Sequence, residues 1–440
     1  MKRAWMCLIA MGVAGCLGIL PLCPEPINAQ TLQEAVKIGL NIPLSGTYKD
    51  QGQDEERGYR LAIEQINARG GVLGKRLDFV INDTQSNATL ARELAIKVID
   101  KDHVVMVSGG VSSAVAIAQA DVCQEKNTIY MAAITHSNAT TGHEETKAGF
   151  TVQKAHRHAF RWFFNAWMTS KTLVPYLLKQ FGQGAGFYYI TADYTWGHSL
   201  EESMRWGLEL GGCDTIGTQL TPLGTTDFTQ QLKEAEEAEP DALVMVLFGQ
   251  DMVTALTQAQ AMGLKAKMKI IVPLIELYMA HSVGPEGMEG VIATTSWYWE
   301  LKDRFDGSRT FVEAFRNKYD KPPGIGAASA WVAVTEWAEA VQKAKDFASR
   351  AVIPALENHT FIQLKNAEKW QSWDHQAMTS VYIVEGKSAR QMSGEWDLLS
   401  IISEAPGNDI MRSREENPVI LEPLPASNQN AAVHLEADGH

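Results

Sequence analysis

The sequence predicts an α/β protein of two lobes, each built around a doubly wound parallel sheet of the Rossmann kind. Short runs rich in β-branched residues alternate with longer amphipathic segments, which is the pattern of strands and covering helices. The alternation starts again after residues 150–153, and 440 residues with 45% hydrophobic content are enough for two buried cores. Polar loops follow several strands, at the edge where open sheets of this class bind ligands.

The first unit shows the alternation from its opening strand onward. Its first helix carries Tyr59, Ile63 and Ile66 at helical spacing and stops at the Gly70-Gly71 pair. The predicted strands cover residues 36–42, 77–82, 104–107 and 128–133, and the predicted helices cover residues 54–68, 88–100 and 113–123. This order indicates parallel strands with helices on both faces of the sheet.

The second unit repeats the pattern and is followed by further helices and one late strand. Its predicted strands cover residues 186–191, 214–219, 242–248 and 268–272, and its predicted helices cover residues 198–210, 228–238 and 252–262. Beyond them the sequence predicts strands at 291–295 and 378–385 and helices at 308–318 and 327–344. Residues 388–440 turn polar and contain several prolines, so the end of this extension is expected to be loose.

Two loops in the first unit have the chemistry of a binding site. The loop at residues 109–113 and the loop that begins at Ile134 should lie side by side, because parallel strands deliver their carboxyl ends to one edge. Ser112, Ser113, Thr135 and His136 offer donors there. The stretch lacks the lysine of a phosphate-binding P-loop and the GxGxxG spacing, which favours a small anion or carboxylate over a nucleotide. The serines could equally act as helix N-caps, and both roles are compatible.

The N-terminus has the pattern of a secretory signal peptide. Lys2 and Arg3 precede an apolar run at residues 4–22, and the small residue Ala29 is the predicted cleavage position, so residues 1–29 are expected to be removed and the mature protein to be periplasmic. The alternative is a lipoprotein anchored at Cys16, since residues 13–16 resemble a lipoprotein cleavage box.

Charge and cysteine content narrow the possible partners. The formal net charge of −13, without a long basic block, argues against nucleic acid as a partner. Cys123 and Cys213 are the cysteines that remain in the mature chain, and both are predicted to be free, buried thiols. No Cys/His cluster has metal-binding spacing, so neither a metal nor a cofactor is expected.

Four segments of the sequence resemble one known family. Residues 36–74, VKIGLNIPLSGTYKDQGQDEERGYRLAIEQINARGGVLG, look like the opening of the substrate-binding proteins of branched-chain amino acid ABC importers. Residues 78–102, 193–199 (DYTWGHS) and 258–267 (QAQAMGLKAK) match as well, and the resemblance covers residues 36–387. It implies a type I periplasmic binding protein: a monomeric clamp of two lobes on a three-segment hinge, which holds a small-molecule ligand in the interlobe cleft and delivers it to a membrane permease.

The resemblance also implies how the chain is divided. Residues 30–152 and 295–372 would form lobe 1, and residues 153–294 would form lobe 2. Residues 373–387 would return to lobe 2 as a strand, leaving 388–440 as the C-terminal extension.

The family's ligand contacts can be carried over to this sequence. Ser113, Ile134 and Thr135 would hold a ligand carboxylate from lobe 1, while Trp196 and Phe248 would form an aromatic wall in lobe 2. The complete expected set is Gln51, Ser112, Ser113, Ile134, Thr135, His136, Tyr194, Trp196, Phe248 and Glu276. Gln51 stands where some relatives place an aromatic residue.

Glu276 decides what kind of ligand is expected. An amino acid brings an ammonium group that needs a buried carboxylate partner, and Glu276 lies two residues away from the family's position for that acid. If Glu276 reaches the cleft, a branched-chain or related amino acid is expected. If it points elsewhere, an aromatic acid, an amide or a urea-like ligand fits the aromatic residues better.

Two alternative functions are a ligand sensor and a hydrolase. A ligand sensor could use the same clamp, and the residues do not separate it from an importer component. A hydrolase would need Ser112 or Ser113 activated by His136, but the chain has no GxSxG elbow and no acid placed to orient the histidine. The expected protein is therefore not an enzyme.

Overall fold

A computed structural model describes residues 33–146, 149–152, 154–417 and 419–424, and it confirms the two-lobed α/β class with parallel sheets. The predicted signal peptide, Cys16 and the last part of the C-terminal extension lie outside the described residues.

The first sheet has five parallel strands and carries the loops of the predicted carboxylate site. Its first seven elements are β1 (Gln33–Ile42), α1 (Lys49–Ala68), β2 (Lys75–Asp83), α2 (Ala88–Asp100), β3 (Met106–Gly109), α3 (Ser113–Glu125) and β4 (Ile129–Ala132). The central strands β3 and β4 are buried along their whole length, as expected for strands covered by helices on both faces. Strand β4 is apolar throughout and β3 begins with two apolar residues, which made both strands recognisable in the sequence.

The chain does not leave the first sheet where the sequence suggested. After β4 it forms β5 (His143–Thr146), β6 (Gly149–Val152) and β7 (Lys154–Ala155), and then β8 (Ala159–Arg161) pairs with β4. The sheet order is β2-β1-β3-β4-β8, so the first crossing follows Arg161 instead of residue 152. The predicted boundary fell short because the short strands β5 to β7 are inserted before the last strand of the sheet.

The second sheet has seven strands in the order β10-β9-β11-β12-β13-β17-β18. The elements up to its fifth strand along the chain are α4 (Ala166–Phe181), β9 (Gly186–Ala192), α5 (Thr195–Leu210), β10 (Asp214–Thr221), α6 (Thr229–Glu237), β11 (Ala242–Val246), α7 (Gln250–Ala261), β12 (Lys269–Val272), α8 (Leu277–Met288) and β13 (Ile292–Thr295). These strands pair in parallel. Lobe 2 is thus a second covered sheet, formed largely by one continuous segment.

After β13 the chain returns to lobe 1 as three helices. They are α9 (Asp306–Tyr319), α10 (Ile325–Ala344) and α11 (Ser349–Leu356), followed by the short strands β14 (Thr360–Phe361), β15 (Glu368–Trp370) and β16 (Ala377–Met378). Helix α10 is buried along almost its whole length and packs against α1. At Gly58 a side-chain carbon would lie 2.2 Å from the carbonyl oxygen of Ala327, so only glycine permits this close contact.

The last crossing leads back to lobe 2 and into the C-terminal extension. The remaining elements are β17 (Val381–Gly386), β18 (Leu399–Ala405), α12 (Gly407–Ile410) and β19 (Ile420–Leu421). Strands β17 and β18 are antiparallel additions to the second sheet, and β19 pairs with β7 near the first crossing. The first part of the extension is therefore ordered sheet, which the sequence did not predict.

A buried ion pair ties the crossings together. Lys365 donates to the carbonyl oxygens of Ser296 (2.6 Å) and Ser380 (2.9 Å), which lie on the second and third crossings. Its Nζ lies 3.5 Å from Glu368, which accepts a 3.0 Å hydrogen bond from the indole of Trp162 beside the first crossing. The hinge is thus held by one charged pair with no exposed surface.

A further prediction concerns the cysteines. Cys123 and Cys213 are free and buried, as predicted. Across the described part of the chain, no helix is long and apolar enough to cross a membrane.

Candidate functional site

The predicted carboxylate loops lie next to each other at the edge of the first sheet. Ser113 begins α3, and its Oγ accepts hydrogen bonds from the backbone amides of His136 (3.4 Å) and Ser137 (3.1 Å). Ser112 takes the N-cap position of α3, is buried and makes no capping bond with its side chain. Gly109 allows the turn because its φ of 124° and its contact with Asn41 leave no room for a side chain.

Thr135 and Ile134 follow β4 and are both buried. The Oγ1 of Thr135 has no hydrogen-bond partner within the described residues. Ile134 lies beside Glu55 of α1, whose pKa is raised by burial and by the charge of Asp54, with a smaller opposing effect from the Ile134 amide. An unpartnered hydroxyl in this position is available to a ligand, since buried polar groups are normally hydrogen-bonded.

His136 is fully engaged and is not positioned as a base for Ser113. Its Nδ1 accepts a 3.1 Å hydrogen bond from the indole N–H of Trp196, so its Nε2 carries the proton and donates to Thr169 (2.8 Å). Burial, and then the charge of Arg161, lower the pKa of His136, so the ring is neutral. Only its backbone amide reaches Ser113, which removes the geometry that a hydrolase would need.

The aromatic wall expected from Trp196 and Phe248 also includes Tyr194 of lobe 2 and Tyr48 of lobe 1. The ring of Trp196 lies 6.0 Å from those of Tyr194 and Phe248, and Phe248 lies 5.9 Å from Tyr48 of lobe 1. The hydroxyls of Tyr48 and Tyr194 are 2.6 Å apart and complete the contact across the cleft. Burial raises the pKa of both tyrosines, so both hydroxyls are protonated at neutral pH.

Gln51 and Glu276 meet across the cleft on the polar side of the site. The Nε2 of Gln51 donates to Glu276 (3.1 Å), while its Oε1 has no partner among the described residues. Glu276 also caps α8, because its carboxylate accepts the amides of Tyr278 and Met279. Burial, and then the charge of Asp54, raise the pKa of Glu276 to about 7. A cationic group placed beside this carboxylate would therefore favour its ionised form.

Tyr48 and Asp54 were missed in the sequence. Asp54 is fully buried and accepts the amides of Gly324 and Ala327 at the start of α10, which places it near Glu276. Tyr48 lies three positions before Gln51, in the turn after β1. Since some relatives place an aromatic residue at the position of Gln51, a nearby aromatic residue in this turn could have indicated the contact from lobe 1. The sequence did not indicate a site role for Asp54, because the amides that it accepts belong to Gly324 and Ala327, which are distant in sequence.

One group outside the cleft has the residue types of a metal site. Glu336, Glu339 and His359 lie close together in lobe 1. The amide of Gln363 donates to both carboxylates, so it already satisfies them in part. None of the expected ligand contacts belongs to this group.

The expected contacts of the two lobes face one another. Of these ten residues, only Tyr194 is more than slightly exposed. Two hydrogen bonds join the contacts of the two lobes, one between His136 and Trp196 and one between Gln51 and Glu276. Fold and site together describe a two-lobed clamp with polar groups from each lobe and an aromatic wall between them.

Comparison with known proteins agrees with this description. A family model described as periplasmic binding protein matches residues 35–391. The Leu/Ile/Val-binding protein homolog 7 of Brucella suis is 27% identical over 358 residues, covering 79% of this chain and 85% of the relative. The structure of a periplasmic binding protein from Burkholderia mallei superposes with a TM-score of 0.79 at 25% identity, covering 87% of this chain and 98% of that one.

A further structure shares the fold at lower identity. It is the solute binding protein of an ABC transporter from Rhodopseudomonas palustris in complex with 3,4-dihydroxy benzoic acid, with a TM-score of 0.74 at 18% identity, covering 85% of this chain and 98% of that one. The chain belongs to the periplasmic binding protein family, a family of binding proteins and not of enzymes. The family resemblance read from the sequence is confirmed.

Proposed function

We propose that this protein is the periplasmic solute-binding component of an ABC importer. It captures a small carboxylate-bearing ligand, a branched-chain or related amino acid, by closing its lobes, and it delivers that ligand to a membrane permease. In this proposal it is exported by its signal peptide, acts as a monomer and carries out no catalysis. Closure presents the permease with a surface that the open clamp lacks.

The observation that carries the proposal is the division of polar chemistry between the two lobes. Lobe 1 offers the N-terminal end of α3, Ser113 and the unpartnered hydroxyl of Thr135, which suit a carboxylate. Lobe 2 offers Glu276, whose carboxylate suits an ammonium group. A zwitterionic amino acid has both groups on one carbon, and the aromatic wall would take its side chain.

The ligand named for the Brucella relative supports the same class. That protein is described as a Leu/Ile/Val-binding protein homolog. Because Glu276 meets Gln51 across the cleft, its two-residue offset does not remove it from the proposed site. The balance therefore favours an amino acid.

The aromatic wall supports a second candidate, an aromatic acid. Four aromatic residues surround the apolar side of the cleft, and in the Rhodopseudomonas protein the same fold holds 3,4-dihydroxy benzoic acid. Such a ligand has no ammonium group, so its binding would not favour the ionised form of Glu276. The two candidates thus differ in what they require of Glu276.

A thermal-shift screen followed by two variants tests both candidates. The panel contains the aliphatic and aromatic amino acids, benzoate and its hydroxylated forms, and short amides. If an amino acid binds, Glu276→Gln should weaken it by about 2–5 kcal/mol, because a buried ammonium loses its charge partner. If an aromatic acid binds, Trp196→Ala should cost more than Glu276→Gln, because it removes one side of the wall.

Glu289→Gln is the matched control, since this exposed glutamate ends the same helix that Glu276 caps. Stabilisation by aromatic acids and by no amino acid would overturn the preferred ligand. Turnover of esters or amides that is abolished by Ser113→Ala would overturn the binding function itself.

A further inference from the structure

We propose that Arg161 is the positioning residue of the ligand loop that follows β4. Its guanidinium fixes the direction of the backbone amides in residues 134–138 by holding the carbonyl oxygens of this loop. The effect on ligand selectivity rests on the proposed function, whereas the effect on the loop does not.

Arg161 ends β8 and is one of the largest fully buried side chains of the protein. Its guanidinium donates to four neutral acceptors, namely the carbonyl oxygens of Thr135 (3.4 Å) and Ser137, the Oγ1 of Thr141 (3.1 Å) and the Oε1 of Gln376 (2.6 Å). Two of these acceptors are peptide groups of the ligand loop. Arginine suits this task because its planar fork offers several donors in fixed directions.

Holding a carbonyl oxygen also fixes the amide that follows it. The peptide group is planar and trans, so its N–H points away from its C=O. With the Thr135 oxygen turned toward Arg161, the His136 amide points to Ser113. With the Ser137 oxygen held likewise, the Asn138 amide donates to Ser199 of lobe 2 at 3.0 Å. Arg161 thus orients the loop through its carbonyl oxygens, on the side opposite to the one where the loop amides meet Ser113 and Ser199.

The charge of Arg161 acts on the same loop. Burial lowers the pKa of Arg161 to about 9, with Asp374 opposing and Arg412 adding to the effect, so the group is still charged at neutral pH. After burial, this charge is the next cause that lowers the pKa of His136. A protonated His136 would have no free nitrogen to accept the Trp196 indole, and the bond between the lobes would be lost.

Arg161 also connects the loop to the hinge. The amide of Gln376 donates to the carbonyl oxygens of Arg161 (3.3 Å) and Phe163 (2.9 Å), while its oxygen accepts from the guanidinium. Arg161 ends the last strand before the first crossing, and Gln376 directly precedes β16, the last strand before the third crossing. One pair of side chains therefore joins the ligand loop to the chain just before two of the crossings.

Hydrogen exchange of the ligand-free full-length protein tests the positioning role. Arg161→Met should accelerate exchange of the amides of His136, Ser137 and Asn138 by about 10-fold or more, while amides in β1 and β3 change little. Arg161→Lys should give an intermediate effect, because it keeps the charge and loses the fork. The control is Arg157→Met. Arg157 is close to Arg161 in sequence, and its replacement removes an ion pair with Glu357 without removing a contact to the ligand loop.

Equal acceleration throughout lobe 1, or an unchanged loop in Arg161→Met, would overturn the proposal. If Arg161→Met does not fold, Arg161→Lys and Thr141→Val replace it, and unchanged loop exchange in both would also overturn the proposal.

A second experiment compares the binding of L-leucine and L-leucinamide. Arg161→Met should weaken L-leucine by about 10-fold more than L-leucinamide, because the charge lies behind the carboxylate loop. Equal weakening of both would contradict the electrostatic part. If neither compound binds the unaltered protein, the choice of leucine as ligand is wrong, and the exchange data alone decide the role of Arg161.

Discussion

At the scale of single residues, Glu276 has a structural role as the cap of α8 and is also the residue that we propose to contact the ligand. Its carboxylate caps α8 and accepts Gln51 from the other lobe, yet it is buried near Asp54. Two buried acids close together favour protonation of one of them. Glu276 is therefore poised to lose its proton when a cationic ligand group arrives.

This environment predicts a pH-dependent stability of the ligand-free protein. The pKa of Glu276 rises from 4.5 to about 7 on folding, so the folded state binds the proton more tightly than the unfolded state. This difference adds at most about 3 kcal/mol to the free energy of unfolding. The added stability is fully present below about pH 4.5 and is lost as the pH rises through about 7. Urea unfolding of wild type and Glu276→Gln over this interval measures it. The variant should lack the component, and equal pH slopes would contradict the assignment.

The hydroxyl contact between Tyr48 and Tyr194 predicts a measurable coupling between the lobes. Tyr48→Phe and Tyr194→Phe each keep the ring and remove the 2.6 Å hydrogen bond. In a double-mutant cycle, the two changes should be coupled by about 0.5–1.5 kcal/mol in the free energy of ligand binding. Additive effects would mean that the hydroxyls do not meet in the bound form.

At the scale of elements, the hinge depends on a pair with no exposed surface. Lys365→Met would leave Glu368 buried without its charge partner and release the carbonyl oxygens of Ser296 and Ser380. The expected loss in the free energy of unfolding is about 3–5 kcal/mol. Lys369→Met is the control, since Lys369 lies next to Glu368 on β15 and its side chain is partly exposed. Its loss in the free energy of unfolding should be within about 0.5 kcal/mol. Equal losses in denaturant unfolding would refute the role of the pair.

Elements differ in how far the sequence predicts them. Strand β4 could be recognised because burial on both faces makes it apolar throughout. Helix α8 could not, because Gly284, with a φ of 77°, and Pro285 interrupt it with a pattern typical of a turn. The sequence does not predict strand β18, because most of its side chains are partly or fully exposed at the edge of the sheet and its composition is that of the polar extension.

The site shows the same division between local and distant information. Polar residues at the ends of β3 and β4 were visible because parallel strands share one edge. Glu276 seemed misplaced by two residues, but the chain runs on beside β13 after β12 ends, where the Ile275 amide donates to Thr294 (3.0 Å). Arg161 carried no signal, since its contact with Gln376 joins residues far apart in sequence.

At the scale of the whole molecule, the proposed function requires the two lobes to close around a ligand. In this structure lobe 1 meets lobe 2 through Tyr48, Gln51, His136 and Asn138, so these contacts belong to the closed arrangement. They are modest individually, so in the proposed function ligand binding would supply the further free energy that shifts the population toward closure.

Small-angle X-ray scattering of the full-length protein, with and without the compound that gives the largest thermal shift, tests this central claim most directly. The radius of gyration should fall on saturation, and the scattering of the saturated protein should match the closed structure. An unchanged radius at saturating ligand, with scattering that already fits the closed arrangement or fits neither form, would contradict the account of a clamp that closes on its ligand.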